Sequence, residues 1–268
     1  MRIAIGLEYD GAAFSGWQSQ PSGNTVQDVL EEALGRIAGG RIQVACAGRT
    51  DAAVHALAQV AHFDATVERP LSAWVRGVNT HLPSAVAVNW AAAVPEDFHA
   101  RFCAEARSYR YLLLNRPARP GLQAGKVGWC HQPLDVEAMQ EAAACLLGEH
   151  DFSSFRAAEC QAKSPVKTMH EFSVRRDGNL VVFACRANAF LHHMVRNLVG
   201  ALVYVGMGRH PPGWLAELLA ARDRRMGAPT FDPAGLYLVG VEYDARWGIP
   251  SVPAGEGRII PRDRLPLV

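Results

Sequence analysis

The sequence has no closely paired cysteines. Its six cysteines are scattered, and no two of them form a CxxC pair. A disulfide framework or a structural zinc site needs cysteines at paired or regular spacing, so we expect neither. Scattered thiols are typical of a reducing compartment, and we therefore predict a cytoplasmic protein. The cysteines are Cys46, Cys103, Cys130, Cys145, Cys160 and Cys185.

Long apolar runs are also missing. The first apolar run is short and is interrupted by Glu8 and Asp10, so we expect no secretory signal peptide. No later run is long enough to span a bilayer, and we predict no membrane partner. With 268 residues, 49% hydrophobic and 20% charged, the chain has a globular composition and room for one large domain or two ordinary ones.

Motifs for cofactors and metals are absent as well. There is no GxxxxGK[ST] phosphate loop, no GxSxG nucleophile elbow and no HExxH pair. The GMG at 206–208 is more typical of a helix C-terminus than of a cofactor loop. His192 and His193 are adjacent, so on a helix they would diverge and bind no metal. We therefore predict no metal and no small-molecule cofactor.

Lysine is scarce, although the chain is not poor in positive charge. Of the 27 basic residues only Lys126, Lys163 and Lys167 are lysines, so the other 24 are arginines. The segment 99–120, HARFCAEARSYRYLLLNRPARP, carries five arginines and three aromatic residues against one acidic residue. Arginine matches phosphate and aromatic rings stack on bases, so the segment weakly favours looped or single-stranded RNA. An alanine- and arginine-rich genome composition would explain the high arginine content equally well, and only the clustering in this segment favours RNA.

The first part of the chain alternates between strand and helix patterns. Apolar residues alternate from position 3 to 7, and they recur at helical spacing between the predicted N-cap Thr25 and the glycines at 39 and 40. The predicted elements are strands at 2–9, 42–46, 58–63 and 86–94 and helices at 26–38 and 71–82. Their order is the split βαβ pattern of ferredoxin-like folds.

The second part has a similar order of elements. An Asp177–Gly178 turn signal separates two strand patterns, and a long apolar helix follows them. The predicted elements are strands at 107–115, 166–176, 180–187 and 236–243 and helices at 135–148, at 190–208 and around Trp214. We predict an α/β (α+β) protein of two ferredoxin-like, RRM-like halves, 1–105 and 106–246, and an irregular tail at 247–268. Their mainly antiparallel sheets should lie side by side with the active-site cleft between them.

The decapeptide CAGRTDAAVH, residues 46–55, places a carboxylate in a short polar crossing between two apolar strands. Locally, the more ordinary role of Asp51 is a helix N-cap for AAVHAL, and catalysis is the alternative. Arg49 is by default a surface arginine and Asp10 a turn residue. The local pattern leaves these alternatives open.

The decapeptide resembles the RTDxGVH signature of the TruA family of tRNA pseudouridine synthases. Further blocks resemble that family in its order, from about residue 8 to about residue 240: EYDGAAFSGWQ, VNTHLP, DFHARF, SYRY, LLGEHDFSSF, ANAFLHHMVRN and GLYLV. The chain departs from the family at Ala53, where glycine is usual. A positive φ there would strain alanine, and we expect instead that the methyl group is accommodated by loop packing.

The resemblance implies isomerisation of uridine to pseudouridine in the anticodon stem-loop of tRNA, by a homodimer without a cofactor. It implies that Asp51 acts on the nucleotide, as a nucleophile or as a base at the sugar. It also implies that Arg196 holds this carboxylate, that Tyr109 stacks on the target base, and that Arg49 enters the space left by the flipped nucleotide. Arg196 lies far along the chain from Asp51, so the site should lie between the two halves. The remaining candidates for RNA contact are Phe98, His99, Arg101, Arg69, Arg110 and Lys163.

Three other classes of protein stay open at this point. A non-catalytic RNA-binding protein would explain the arginine and aromatic segment but not the set of Arg49, Asp51 and Arg196. A phosphohydrolase with an aspartate nucleophile would explain a reactive carboxylate, yet its DxDx[TV] motif is missing. A scaffold without a site explains least.

Overall fold

One large mixed sheet dominates the computed structural model, which describes residues 1–21 and 23–250. The predicted tail beyond residue 250 lies outside the described residues. The sheet has ten strands in the order β4-β1-β3-β10-β5-β9-β8-β7, with β2 paired to β3 and β6 paired to β5. The strands are β1 (Arg2–Tyr9), β2 (Ala45–Cys46), β3 (His55–Asp64), β4 (Val86–Val94), β5 (Ala104–Asn115), β6 (Gly128–Cys130), β7 (Gly148–Asp151), β8 (Val166–Asp177), β9 (Leu180–Ala187) and β10 (Leu236–Tyr243).

Most neighbouring strands are antiparallel, which confirms the predicted α/β class with a mainly antiparallel sheet. Among the described residues, the parallel pairs are β10 with β3 and β5 with β6. β10 therefore connects the strands of the first part to those of the second within a single sheet. The predicted boundary between residues 105 and 106 falls inside β5, and the division into halves stays a prediction.

Four α-helices accompany the sheet in the described part of the chain. α1 begins after the N-cap Thr25, whose side chain accepts a hydrogen bond from the backbone N–H of Asp28, and ends at Gly39 in a left-handed conformation. Asp135 caps α2 in the same way. None of the helices in residues 1–21 and 23–250 is long and apolar enough to cross a membrane. The helices are α1 (Val26–Ala38), α2 (Val136–Ala143), α3 (Met194–Gly206) and α4 (Trp214–Ala221).

The structure corrects several predicted elements. The predicted helix at 71–82 is π-helical at Ala73–Gly77, and the predicted strand at 42–46 is reduced to β2. The predicted helix at 190–208 begins only at Met194, as α3, and Gly208 lies just past its C-terminus with φ of 71°. The strands β6 and β7 were not predicted, because each has at most four residues, too few to show alternation.

Buried apolar side chains from both parts of the chain form one connected core, which includes Leu7, Leu30, Leu113 and Leu198. All thirteen residues of α3 are buried except Arg196 and Tyr204. A charged side chain in so apolar a helix needs a partner, since an unpaired buried guanidinium is costly. Arg196 therefore requires an acidic or hydrogen-bonding partner outside α3.

Candidate functional site

The segment between β2 and β3, residues 47–54, is an irregular loop with Asp51 near its centre. Asp51 caps no helix, so that interpretation of the local sequence is wrong: the residues that follow make a turn and then enter β3 at His55. The loop is held from outside by hydrogen bonds from Trp17 N–H to the Thr50 carbonyl (3.0 Å) and from Ala47 N–H to the Val60 carbonyl (2.7 Å). Both bonds precede Asp51, and on its other side the Ala53 N–H donates to the Phe14 carbonyl (3.5 Å).

A buried polar network anchors the residue before Asp51. The hydroxyl groups of Tyr9 and Thr50 are 2.8 Å apart, and the Gln59 amide donates to Tyr9 Oη (3.2 Å) and to the Gly48 carbonyl (2.7 Å). Gln59 is fully buried on β3. Buried polar groups that are all paired give one fixed arrangement. Sequence analysis missed this support, although a glutamine inside the apolar pattern AQVAHF was a signal that could have found it.

The loop backbone is close-packed at Gly16 and strained at Ala53. A Cβ atom at Gly16 would lie 2.9 Å from the Thr50 carbonyl oxygen, and φ at Gly16 is 102°, so the position requires glycine. Ala53 has a φ of 62°. The expectation that its methyl group would be accommodated without strain is therefore wrong, because this left-handed region is unfavourable for alanine.

Asp51 meets Arg196 across the sheet. Arg196 Nη1 lies 2.9 Å from Asp51 Oδ2, and the two side chains are 13% and 21% exposed. The guanidinium does not bind the carboxylate through two hydrogen bonds, because Arg196 Nε instead donates to the Phe231 carbonyl at 2.9 Å. One guanidinium thus fixes the carboxylate and the segment that precedes β10 at the same time.

The two adjacent histidines also converge on Asp51. His192 Nε2 lies 3.2 Å from Asp51 Oδ1, and His193 Nε2 lies 3.3 Å from Asp51 Oδ2. The prediction that they diverge assumed a helix at these positions, but α3 begins after them and His193 has a φ of 60°. This left-handed turn brings both rings to one side, with their centroids 4.0 Å apart.

The electrostatics of this cluster favour a neutral imidazole at His193. Burial lowers the pKa of His193; the charges of His192 and Arg196 act in the same direction, and Asp51 opposes them. The ligand atoms of the aspartate and the two histidines lie within 4.8 Å of one another, a separation that a divalent metal could bridge. Arg196 already occupies Oδ2 with a positive charge, so a metal would have to displace it. The arrangement suits an anionic reagent better than a metal centre.

Comparison with known proteins identifies the family. The family model for tRNA pseudouridine synthase matches residues 6–103 and 142–244. A tRNA pseudouridine synthase A from Dechloromonas aromatica is 65% identical over 251 residues, which cover 94% of this chain and 96% of that protein. Its namesake from Aromatoleum aromaticum is 63% identical over 268 residues, the whole of both chains. The chain belongs to the tRNA pseudouridine synthase family.

A solved structure, a Cbf5-Nop10-Gar1 complex, aligns with a TM-score of 0.37 and 13% identity over 88% of this chain and 48% of that chain. A similarity this low supports no argument about the site. Membership of the pseudouridine synthase family rests on the sequence relatives, and the roles of individual residues have to be argued from the geometry.

Tyr109 lies on β5 beside the Asp51 loop. Its ring is only 8% exposed and is contacted edge-on by Phe190 at a centroid distance of 5.0 Å. Burial raises its pKa, and the negative charge of Asp51 acts in the same direction. A Cβ atom at Gly48 would lie 3.7 Å from the Tyr109 hydroxyl oxygen, so the ring borders this loop.

The other candidates for RNA contact divide by exposure. Arg49, Arg69 and Lys163 are exposed in loops, and Arg101 is exposed in the turn before β5. Phe98 is wrong as an RNA contact, because it is fully buried against Tyr243 and Trp247. The ring exposed by this motif is Phe102, which sequence analysis did not select.

Arg110, on β5, is partly buried, and so is His99, in the turn that follows Phe98.

A cavity of about 470 Å³ adjoins the aspartate and histidine cluster. His193 contributes to its wall, together with Arg224 and Arg225. A volume of this size is within the usual range for small-molecule and cofactor sites. The candidate site therefore has the Asp51 carboxylate near a recess whose wall includes Arg224, Arg225 and Glu159.

Proposed function

We propose that this protein isomerises uridine to pseudouridine in the anticodon stem-loop of tRNA. The observation that carries the proposal is the ion pair between Asp51, in the loop before β3, and Arg196, in the apolar helix α3. Membership of the pseudouridine synthase family supports the reaction. A non-catalytic RNA-binding protein would have no reason to fix a partly buried carboxylate with an arginine and two histidines, since burying charges is costly.

The reaction breaks the bond from ribose C1′ to base N1, turns the base and forms a bond from C1′ to C5. C5 loses its proton and N1 gains one, so the product is an isomer of the substrate. No electrons are gained or lost overall, so the residues need to supply only a nucleophile or base, and positioning. In this proposal Asp51 attacks the ribose or removes a proton from it, while Arg196 holds the carboxylate in place. Tyr109 bounds the space in which the base turns.

In this proposal the RNA is recognised by four exposed cationic side chains and by the partly buried Arg110. Arg49 adjoins Asp51 and is exposed, so it can enter the helix in place of the flipped uridine and recover part of the unstacking energy. Arg69, Arg101, Arg110 and Lys163 contact the phosphate backbone in this proposal. Phosphate contacts of this kind supply affinity without sequence information.

The proposal is tested with an unmodified tRNA transcript and no added cofactor, by measuring pseudouridine formation. We expect product with the wild-type protein and none with Asp51→Asn. The affinity of Asp51→Asn for tRNA should stay within about a few-fold of wild type, because contacts elsewhere supply most of the binding. Asp177→Asn, in the exposed turn between β8 and β9, is the matched control and should turn over normally. Substantial turnover by Asp51→Asn would exclude a catalytic Asp51.

We also propose a cytoplasmic homodimer. The net charge of +1 gives one protomer little long-range attraction for a folded tRNA, and two copies can combine their arginine-rich surfaces. Light scattering at micromolar protein should give about twice the chain mass of 29.1 kDa. A stable mass equal to that of one chain would contradict the dimer.

A further inference from the structure

Phe102 presents an aromatic ring to solvent. It is 76% exposed, which makes it the most exposed phenylalanine, tyrosine or tryptophan in residues 1–21 and 23–250. It lies in the turn that links β4 to β5, close to the buried Phe98. The two phenylalanines of the FHARF motif therefore have opposite roles: one fixes the turn in the core, and the other points away from it.

The turn that carries Phe102 is rigidly built. His99 Nδ1 accepts hydrogen bonds from the backbone N–H groups of Arg101 (3.1 Å) and Phe102 (3.4 Å). Ala100 is held from both sides, because its N–H donates to His62 Nδ1 (3.2 Å) and its carbonyl accepts from the Tyr243 hydroxyl (2.6 Å). A ring on such a support loses little conformational entropy when a partner binds it.

The chemistry around the ring suits a nucleobase. The Arg101 guanidinium lies 5.7 Å from the centroid of the Phe102 ring, and the His99 ring tilts against it at 4.3 Å. Burial lowers the pKa of His99, and the charges of Arg2 and Arg101 lower it further, so this imidazole is neutral at neutral pH. An exposed aromatic face next to an arginine is the combination by which proteins stack unpaired bases and hold their phosphates.

Arg107 connects this turn to the loop of Asp51. The same guanidinium nitrogen, Nη2, donates to the Arg101 carbonyl (2.6 Å) and to the Ala47 carbonyl (3.0 Å). The turn that carries the exposed ring is thus connected to the loop of Asp51 through the Arg107 side chain.

We propose that Phe102 is a stacking platform for an unpaired base of the tRNA that lies near the target uridine. The proposal rests on the proposed function, since it takes tRNA as the ligand. Flipping the target out of its stack leaves neighbouring bases without a partner, and a fixed aromatic ring beside the loop of Asp51 can receive one of them. Arg101 then holds the phosphate of that nucleotide.

The test compares Phe102→Ala and Phe102→Tyr with Leu122→Ala, an equally simple truncation of an exposed apolar side chain elsewhere. All three are made in the Asp51→Asn protein, so that tRNA binding is measured without turnover. Phe102→Ala should weaken binding to the tRNA transcript about 5- to 100-fold, as expected for one lost base stack. Phe102→Tyr should bind within about two-fold of its parent, because its ring can still stack. Leu122→Ala should bind like the parent.

A salt series separates stacking from charge. The slope of log Kd against log salt should be unchanged in Phe102→Ala and smaller in Arg101→Ala, because only the latter loses a phosphate contact. Binding to a fully paired RNA of the same length should not respond to Phe102→Ala. An equal loss on paired RNA, or wild-type binding by Phe102→Ala, would overturn the platform. A change in oligomeric mass would also overturn it, since the ring would then serve an interface between copies of this chain.

The outcomes distinguish this inference from the proposed function. If the wild-type protein forms no pseudouridine but Phe102→Ala selectively weakens tRNA binding, the platform stands and the isomerase assignment fails. If the wild-type protein forms pseudouridine but Phe102→Ala binds tRNA with the Kd of its Asp51→Asn parent, the isomerase stands and the platform fails.

Discussion

At the scale of single residues, Arg196 has two contacts with different consequences. Its Nη1 atom bonds Asp51, and its Nε atom bonds the Phe231 carbonyl. The pairing with Asp51 could be predicted from the resemblance to a family, but its geometry could not. The bond to Phe231 depends on the backbone path just before β10, which no local pattern reports. The convergence of His192 and His193 escaped prediction for a similar reason, since it depends on one left-handed residue before α3.

Replacing Arg196 tests which contact matters for turnover. Arg196→Lys can keep one of the two contacts but not both, because an ammonium is a point charge and not a fork. We expect turnover per folded molecule to fall on the order of 10- to 100-fold, the usual effect of losing a hydrogen bond to a charged group. The measurement is the initial rate of pseudouridine formation, normalised to folded protein by circular dichroism. A lower melting temperature with unchanged turnover would assign Arg196 a structural role only.

At the scale of elements, apolar alternation and helix caps predicted the element boundaries well. Short and irregular segments were not predicted as well. The boundaries of β1, β4, β9 and β10 match their predictions, because each shows a full apolar pattern between turn residues. The predicted helix at 71–82 became π-helical, which no periodicity indicates. The loop of Asp51 was predicted as a crossing, yet its φ angles depend on packing against Gly16 and Phe14.

The strained alanine of this loop gives a stability prediction. Ala53→Gly removes the cost of about 1–2 kcal/mol that alanine bears in a left-handed conformation. It also makes the unfolded chain more flexible, which lowers the free energy of unfolding by about 0.5–1 kcal/mol. The net effect should be a gain of about 0.5–1 kcal/mol in the free energy of unfolding and a rise of about 1–4 °C in Tm. Thermal and urea unfolding measure it. Ala52→Gly, at the exposed neighbour, is the control and should not stabilise; a loss of stability in Ala53→Gly would show that the methyl group packs favourably.

At the scale of the whole molecule, the charge distribution could be anticipated from the scarcity of lysine, but the buried titratable groups could not. His62, near the C-terminal end of β3, is 7% exposed and supports the turn of Phe102 through Ala100. Burial lowers its pKa to about 4, and the charges of His99 and Arg2 assist while Asp64 opposes. Nothing in the alternation of AQVAHF distinguishes this histidine from a surface one.

This histidine predicts a loss of stability in acid. The unfolded chain binds a proton at His62 near the ordinary pKa of about 6.5, whereas the folded protein does so only near pH 4. The free energy of unfolding is therefore unaffected by this group above about pH 6.5 and falls as the pH drops from there towards 4. Allowing for solvent screening, His62 should account for about 1 kcal/mol of the loss between pH 7 and pH 5. Urea unfolding at both pH values measures it. Between pH 7 and pH 5, the free energy of unfolding should fall less in His62→Gln than in wild type. The exposed control His170→Gln should show the same fall as wild type. An equal fall in both variants would assign the pH effect to other groups.

The position of β10 has a consequence for biosynthesis. This strand separates β3 from β5 in the sheet, yet it is formed by residues 236–243, near the end of the described chain. On the ribosome, β3 and β5 are synthesised before the strand that lies between them. Until β10 is made, the facing edges of β3 and β5 are unpaired or have to be covered by other contacts. The carboxylate of the loop before β3 can reach its guanidinium partner in the finished arrangement only after this late strand is inserted. A truncated or stalled nascent chain therefore carries the chemical groups of the site without their assembled geometry.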